Sequence, residues 1–525
     1  IYYGRIESVP EYFKKRFSTG TRPVVTLILL LYLIGYVGIN FLTLGTAMHA
    51  LTGWPVFGAA CGAATATAIY VAAGGQTSVI MTDLAQGLIL LVVGLGLFGV
   101  GVYNVGGFGE FWGLLPDAHR TALANLNHPD SFHTMGVFWQ DAMAGGIAFY
   151  FMNQGILMRF MSARSVDEGR KAIAMVALIV MPLAAISVSG VGSIGRALAE
   201  KGAIFQGTEL AMIEPDNIFV IVTNILTTPG VFGLVMAALT AALMSTADTL
   251  LTAVSAIVVN DIWRPLAGET EDATDLKVGR FATVGAAAVG VVLVPVFNTF
   301  ESIYVAHATF TAAIVPPMAV TLVLGALWPR FGSRAALVTL IGGSAAIVAS
   351  VIEPAMIEPI SQGVEPAGEG ADKYNYMRAL FGLLTSAGLG VTAAGFFEPD
   401  EEPDPLLVAG PEEETKAAFK GGPVKEGGTR VDLTVESVDE EAETKPGTDE
   451  ALVRLHPGDL DTLGAEAGDL IHVAAPGVWH GGLLSVQARV ADGEADSRGR
   501  IEIADELLRA AGLADEGDAV VRLVG

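Results

Sequence analysis

The chain has 525 residues, 52% of them hydrophobic and only 16% charged, yet its formal net charge is −25. A soluble globular chain carries about 25% charged residues, so a mean hydropathy of +0.53 is too apolar for one, and an acidic disordered chain would be far less apolar still. The two properties separate along the chain: residues 398–525 hold 30 acids and 11 bases, a net −19, against 25 acids and 19 bases, a net −6, in residues 1–397. An apolar body with an acidic tail follows. A net negative charge argues against nucleic acid as a partner, because phosphate binding needs clustered Lys and Arg. The single cysteine, Cys61, excludes an intrachain disulfide and a cysteine-built zinc site.

A membrane span needs about 20 mostly apolar residues. Ten stretches qualify, near 24–48, 54–73, 80–104, 136–157, 172–197, 230–258, 279–298, 302–327, 336–352 and 376–397. They are rich in Gly, Ala, Ser and Thr, as in GAACGAATATA (58–68), which is the texture of closely packed helices. Gly145-Gly146 and Pro316-Pro317 are predicted to interrupt the fourth and eighth spans. Such breaks free backbone carbonyls beside cavities, and transporters use them to hold ions and solutes. Each could equally be a simple kink.

Basic residues set the orientation. Lys14, Lys15, Arg16 and Arg22 precede the first span; Arg159, Arg164, Arg170 and Lys171 follow the fourth; Arg264, Lys277 and Arg280 follow the sixth; Arg330 and Arg334 follow the eighth. These alternate loops are predicted to be cytoplasmic, which makes the chain a multi-pass cell-membrane protein with a cytoplasmic tail.

Acids inside spans are costly and are functional candidates. Asp83 lies in GGQTSVIMTDLAQG (74–87), where it could also serve as a first-turn acid, and Asp248 lies within the sixth span. At 100° per residue, Ala242, Ser245, Thr246 and Thr249 share one face of that span, with Asp248 at its edge. Such an oxygen-rich stripe suits sodium, a hard cation; the alternative is hydroxyls back-bonded to their own helix. His307, inside the eighth span, reads as a residue hydrogen-bonded between helices. Gln140 and Asp141 read as interfacial. His119, His128 and His133 lack metal spacing.

Five stretches, in order and at matching spacing, resemble the sodium:solute symporter family, which includes proline, pantothenate and sodium/sugar cotransporters. They are SVPEYFKKRF (8–17), GGQTSVIMTDLAQG (74–87), NQGILMRFMSARSVDEGRKA (153–172), AALTAALMSTADTLLTAVSAIVVNDIW (237–263) and GALWPRFGSRAALVTLIGG (325–343). The resemblance implies an all-α polytopic bundle of two inverted five-helix repeats. It implies sodium binding at Ala242, Ser245 and Thr246, with Asp83 in sodium coupling. Asp248 departs from the common motif and is expected to add negative charge beside Asp83. The fourth span becomes a broken helix whose Gly146, Phe149, Tyr150, Asn153 and Gln154 line the solute path. Phe149 stands where sugar carriers have a gating Tyr and Gly146 where they have a sugar-binding Asn, so an amino acid or carboxylate is expected rather than a sugar. The family's PEY…RF loop follows two core helices of the first repeat, but here it opens the chain. An N-terminally truncated gene model or a remnant is therefore expected.

The tail divides further. Residues 398–449 are Glu-, Pro- and Gly-rich and read as a solvated linker. Residues 450–525 alternate apolar and polar in short runs and read as a small β-barrel-like domain of four to six strands. VRLHPGDLDTLGAEAGDLIHV (453–473) resembles a unit of double-psi β-barrels. A cytoplasmic partner for this domain is a further expectation. The function expected is sodium-coupled symport of a small organic solute in the lipid bilayer, with sodium as coupling ion and no cofactor. The competing expectation is a transporter-like sensor that signals through the tail. No metal cluster, nucleophile–base pair or phosphate loop supports an enzyme.

Overall fold

The computed structural model describes all residues except 1–5, 121–133, 162, 164–165, 203–217, 269–270, 301, 365–372, 400–402, 410–429, 439–451, 477–484, 496, 505–506, 509–512 and 524–525. His128, His133, Arg164 and most of the expected 398–449 linker lie outside the described residues. Two compact units are present: one of Glu7–Leu157 and Val176–Val408, the other of Ala409–Gly525 with Ile1–Ile6 and Met158–Met175.

The first unit is helical. A short helix α1 (Val9–Arg16) precedes α2 (Thr21–Thr52) and the helical run α3 (Val56–Val105). Then come α4 (Glu168–Glu200), α5 (Pro229–Ala267), α6 (Asp272–Phe297), α7 (Ile303–Leu327), α8 (Ser333–Ile352) and α9 (Asn375–Phe396). From α2 to α9, these are eight helices among the described residues long and apolar enough to cross a membrane. Their outward faces are apolar: Val92 is 71% exposed and Phe281 78%. In a water-facing helix these would be polar positions.

The expected spans 54–73 and 80–104 are two helices that meet at a single break, Gly75 (φ 64°, ψ −167°), within the run α3. That conformation needs a residue without a Cβ. The stretch 136–157 is not one span-length helix. Phe138–Ala148 is a π-helix, Phe149–Met152 closes it, and Asn153 (ψ 104°) leaves helical geometry before Gln154–Met161 resumes. The Asn153 side chain caps that restart by accepting from the Ile156 N–H at 3.1 Å. The discontinuity therefore falls at Asn153 and not at Gly145-Gly146. Nor do Pro316 and Pro317 end α7, which runs through both. Glycines on neighbouring helices pack on their rings, Gly382 on Pro316 and Gly343 on Pro317.

The opening SVPEYFKKR is a helix start with identifiable local causes. Ser8 accepts from the Glu11 N–H at 3.1 Å, and the Glu11 carboxylate accepts from the Glu7 N–H at 2.7 Å, a reciprocal capping arrangement. Burial pushes the Tyr12 phenol up to about 12, which keeps it protonated as donor to the Leu407 carbonyl at 3.1 Å. Arg16 is buried at the other end of α1. Its guanidinium donates to the carbonyls of Gly325 (2.8 Å), Trp328 (3.1 Å) and Pro329 (3.4 Å), at and just past the C-terminus of α7. Those are carbonyls a helix end leaves without partners, and the cation complements the helix dipole there. Arg22 pairs with the buried Asp261 at 2.9 Å, tying α2 to α5.

The second unit contains six strands: β1 (Val431–Val438), β2 (Leu452–Leu455), β3 (Leu470–Ala474), β4 (Ser485–Glu494), β5 (Arg500–Ala504) and β6 (Asp518–Leu523). Each pairs with two neighbours in the order β1-β5-β2-β4-β3-β6, and β6 returns to β1. The β1/β5 and β2/β4 pairs are parallel, the rest antiparallel. Alternate residues face one core, including Leu433 and Val435, Val453 and Leu455, and Ile471 and Val473. β1 lies inside 398–449, so the strand domain begins before residue 450 and that linker is shorter than expected. The alternation of VDLTVESV is masked in composition by its acidic surroundings.

Replacing Arg16 with Leu strands three carbonyls and is expected to cost about 2–3 kcal/mol of stability. The check is the unfolding temperature of the detergent-solubilised chain, with Lys14→Leu, at an exposed position, as the unaffected control.

Candidate functional site

The break at Gly75 sends the two halves of α3 to the same stretch of α5 from different sides. From the first half, the Tyr70 hydroxyl donates to Asp248 Oδ2. From the second half, Asp83 Oδ1 accepts from the Ser245 hydroxyl at 2.5 Å. Thr249 lies between the two acids, its hydroxyl 3.3 Å from Asp83 Oδ2, 3.4 Å from Asp248 Oδ1 and 2.9 Å from its own helix carbonyl at Ser245. One hydroxyl has one proton, so Thr249 serves one of these acceptors at a time. Asp248 is fully buried and Asp83 half-buried.

Two carboxylates bridged by a single threonine repel each other, and both bring oxygen acceptors to the same stretch of α5. That is a nest of hard oxygen donors in an apolar body, chemically matched to a small hard cation. Ala242 and Thr246 are half-buried on the same face of α5. No group of three or more His, Cys, Asp or Glu side chains with metal-binding geometry occurs among the described residues.

A second polar cluster lies between the π-helix, α2 and α7. The Tyr304 hydroxyl donates to Asp141 Oδ2, and Asp141 also interacts electrostatically with His307 one turn along. The His307 ring lies tilted against Tyr36 (5.1 Å between centroids), and it makes a hydrogen-bond contact with Thr311 on its own helix at 3.5 Å. Phe149 sits edge-on to Tyr32 (6.3 Å) and Tyr36 (6.1 Å), and Tyr32 stacks on Phe310 (5.9 Å). Gly35 makes this possible, because any Cβ there would collide with the Phe310 ring.

The expected solute-path residues separate accordingly. Phe149 joins the aromatic cluster, Gly146 lies half-buried in the π-helix and Tyr150 is 49% exposed. Asn153 is a helix cap. Gln154 is withdrawn from any path: its fully buried amide donates to the Glu7 carbonyl at 2.8 Å and accepts from the Val9 N–H at 2.9 Å, pinning the start of α1. Gln140, expected at the interface, is fully buried. Sequence reasoning missed Tyr70, Tyr36 and Tyr304. The available signal at Tyr70 and Tyr304 was a lone tyrosine in a stretch of small or aliphatic residues, and at Tyr36 a tyrosine one turn from Tyr32; a tyrosine hydroxyl needs a partner when buried.

Tyr70→Phe removes a donor from the buried Asp248 and leaves the ring in place. Thermal unfolding in detergent is expected to show a loss of about 1–3 kcal/mol, partly restored by saturating sodium if the freed oxygen binds the ion.

Human sodium/myo-inositol cotransporter 2 is 24% identical over 374 residues, covering 65% of this chain and 54% of its own length. The sodium/glucose cotransporter of Vibrio parahaemolyticus is 25% identical over 360 residues, covering 64% and 65%. The chain thus spans about half the length of the first relative and about two-thirds of the second. A solved structure of a Na+-coupled sialic acid symporter, in a substrate-bound outward-open state, has a similar fold with a TM-score of 0.60 at 20% identity, over 76% of this chain and 79% of that one. The relatives' names include a sugar and a polyol, so they lend no support to excluding sugars on the basis of Phe149 and Gly146. A model of the Sodium:solute symporter family matches residues 4–343, and the chain belongs to that family.

Proposed function

We propose that the protein carries a small organic solute across the cell membrane by sodium-coupled symport. The observation that carries this reading is the Asp83–Ser245–Thr249–Asp248 cluster, oxygen donors held between the two halves of α3 and α5. Sodium occupies the face formed by Ala242, Ser245 and Thr246, and the two acids supply the negative charge that draws it from the water. Burying two neighbouring charges is expensive without a counter-ion, so the cluster has a reason to bind a cation. The solute is held beside the π-helix, where Gly146, Phe149 and Tyr150 lie. The names of the relatives support the coupling ion and leave the solute open among polyols, sugars, amino acids and carboxylates.

The strand domain reads as a double-psi β-barrel on the cytoplasmic side. Its closed ring of pairings and its two parallel pairs support the fold, and the Lys and Arg of alternate loops support the side. That separately packed domain also favours a second reading, a sensor in which ion or solute occupancy of the helical unit is passed to a cytoplasmic partner.

Uptake into proteoliposomes, driven by an inward sodium gradient and scored against a potassium control, tests the first reading. Asp83→Asn and Ser245→Ala are expected to weaken apparent sodium affinity about 10- to 100-fold. Asp248→Asn is expected to act in the same direction. An unchanged sodium half-saturation in all three would sink the assignment, and sodium-independent binding without uptake would favour the sensor.

A further inference from the structure

The cluster around Asp141 is missing something that its own side chains do not supply. Asp141 is a half-buried carboxylate within an apolar stretch; its hydrogen-bond donor is the Tyr304 hydroxyl, and no Lys or Arg pairs with it among the described residues. Beside it, Gln140 is 0% exposed, and neither its amide oxygen nor its amide nitrogen has a hydrogen-bond partner. One turn either way, Gly136 packs on Tyr376, and Ala144 packs with Ala312 and Ala379. The Gln140 face is therefore turned towards α7 and α9, into the protein. The Tyr32 hydroxyl, 1% exposed, is also without a partner. Buried polar groups are almost always paired, by protein, water or ligand. A carboxylate without a cationic partner and, on the adjacent residue, a fully buried amide without a partner point to a ligand.

The surroundings choose its chemistry. A bare sodium ion wants several oxygens, but here the acid lies beside His307, whose ring is tilted against Tyr36, and Tyr36 in turn meets Phe149 edge to face. Ring faces attract organic cations. A solute carboxylate would be repelled by Asp141, and a neutral sugar would leave that charge unneutralised in an apolar setting. We infer that the solute taken at this site carries a positively charged amine. Asp141 is its counter-ion, Tyr36 and Phe149 are its aromatic wall, and the Gln140 amide is the hydrogen-bond partner of an adjoining polar group. This rests on the symport reading above and narrows its solute to amine-bearing molecules, amino acids and amino alcohols among them.

The test is calorimetric titration of the full chain in lipid nanodiscs, in sodium chloride. The probes are choline, ethanolamine and glycine betaine, set against 3,3-dimethyl-1-butanol (the neutral carbon isostere of choline), myo-inositol and acetate. At least one amine is expected to bind, choline at least about tenfold more tightly than its isostere if choline is that amine. Asp141→Asn is expected to weaken amine binding about tenfold or more. Phe149→Leu, which keeps an apolar side chain in place, is expected to weaken amine binding more than binding of the neutral isostere, and serves if Asp141→Asn fails to fold. Failure of every amine to bind, or amine binding within twofold of wild type in the folded Asp141→Asn variant, overturns the inference. Amine binding through Asp141 without sodium-driven uptake would overturn the symport reading alone. Sodium-driven uptake of a polyol, indifferent to Asp141→Asn, would overturn this inference alone.

Discussion

A carboxylate cannot be left bare among apolar helices, and much of this structure follows from meeting that demand at Asp83 and Asp248. An acid at membrane depth costs several kcal/mol unless it is paired or hydrated. Here the solution is geometric. Gly75 breaks α3, so Tyr70 on one side of the break and Asp83 on the other both reach α5, where Ser245, Asp248 and Thr249 succeed one another around the helix. The small residues of these helices let their backbones come close enough for short side chains to bridge them. On the symport reading, satisfying the acids and assembling the ion-binding face are the same event.

The same accounting governs helix ends. Gln154 fills the first turn of α1, and Arg16 fills the last carbonyls of α7, so the amphipathic segment before the first long helix is held at both ends by polar groups from distant sequence. Bases that sequence reasoning uses to orient loops therefore have a second occupation. Arg16 is buried and Arg22 is paired with Asp261, while Lys14 and Lys15 remain exposed. The positive bias of a loop and the capping of a buried helix end are compatible, because both belong near the membrane surface.

Hydropathy made the helical body legible, because about 20 apolar residues have few other uses. Periodicity placed Ser245, Thr249 and Asp248 around one side of a single helix, because side-chain direction repeats every 3.6 residues. Breaks were harder to read. Gly145-Gly146 and Pro316-Pro317 are the residues that local propensity marks, yet the chain departs from helix at Asn153 and stays helical through both prolines. Propensity states what a residue permits, and neighbouring helices decide what it does. For Gln154 the family resemblance implied a pore wall, and for Gln140 its place in the outer turn of a span suggested a membrane interface. Packing instead turned the first into a staple for α1 and buried the second without a partner.

By itself, the sequence determined that this is a helical membrane body with acid concentrated in a separate tail, and which hydroxyls and acids share one side of α5. It did so because burial and helical period act within a single segment. Only the tertiary structure decided that Tyr70 and Asp83 converge on that helix, that Asp141 meets Tyr304 beside a set of aromatic rings, and that β1 closes the strand domain from within an apparent linker. Each of these is a meeting of residues more than 60 positions apart in the sequence. Such meetings are set by how helices and strands pack, which no local pattern encodes.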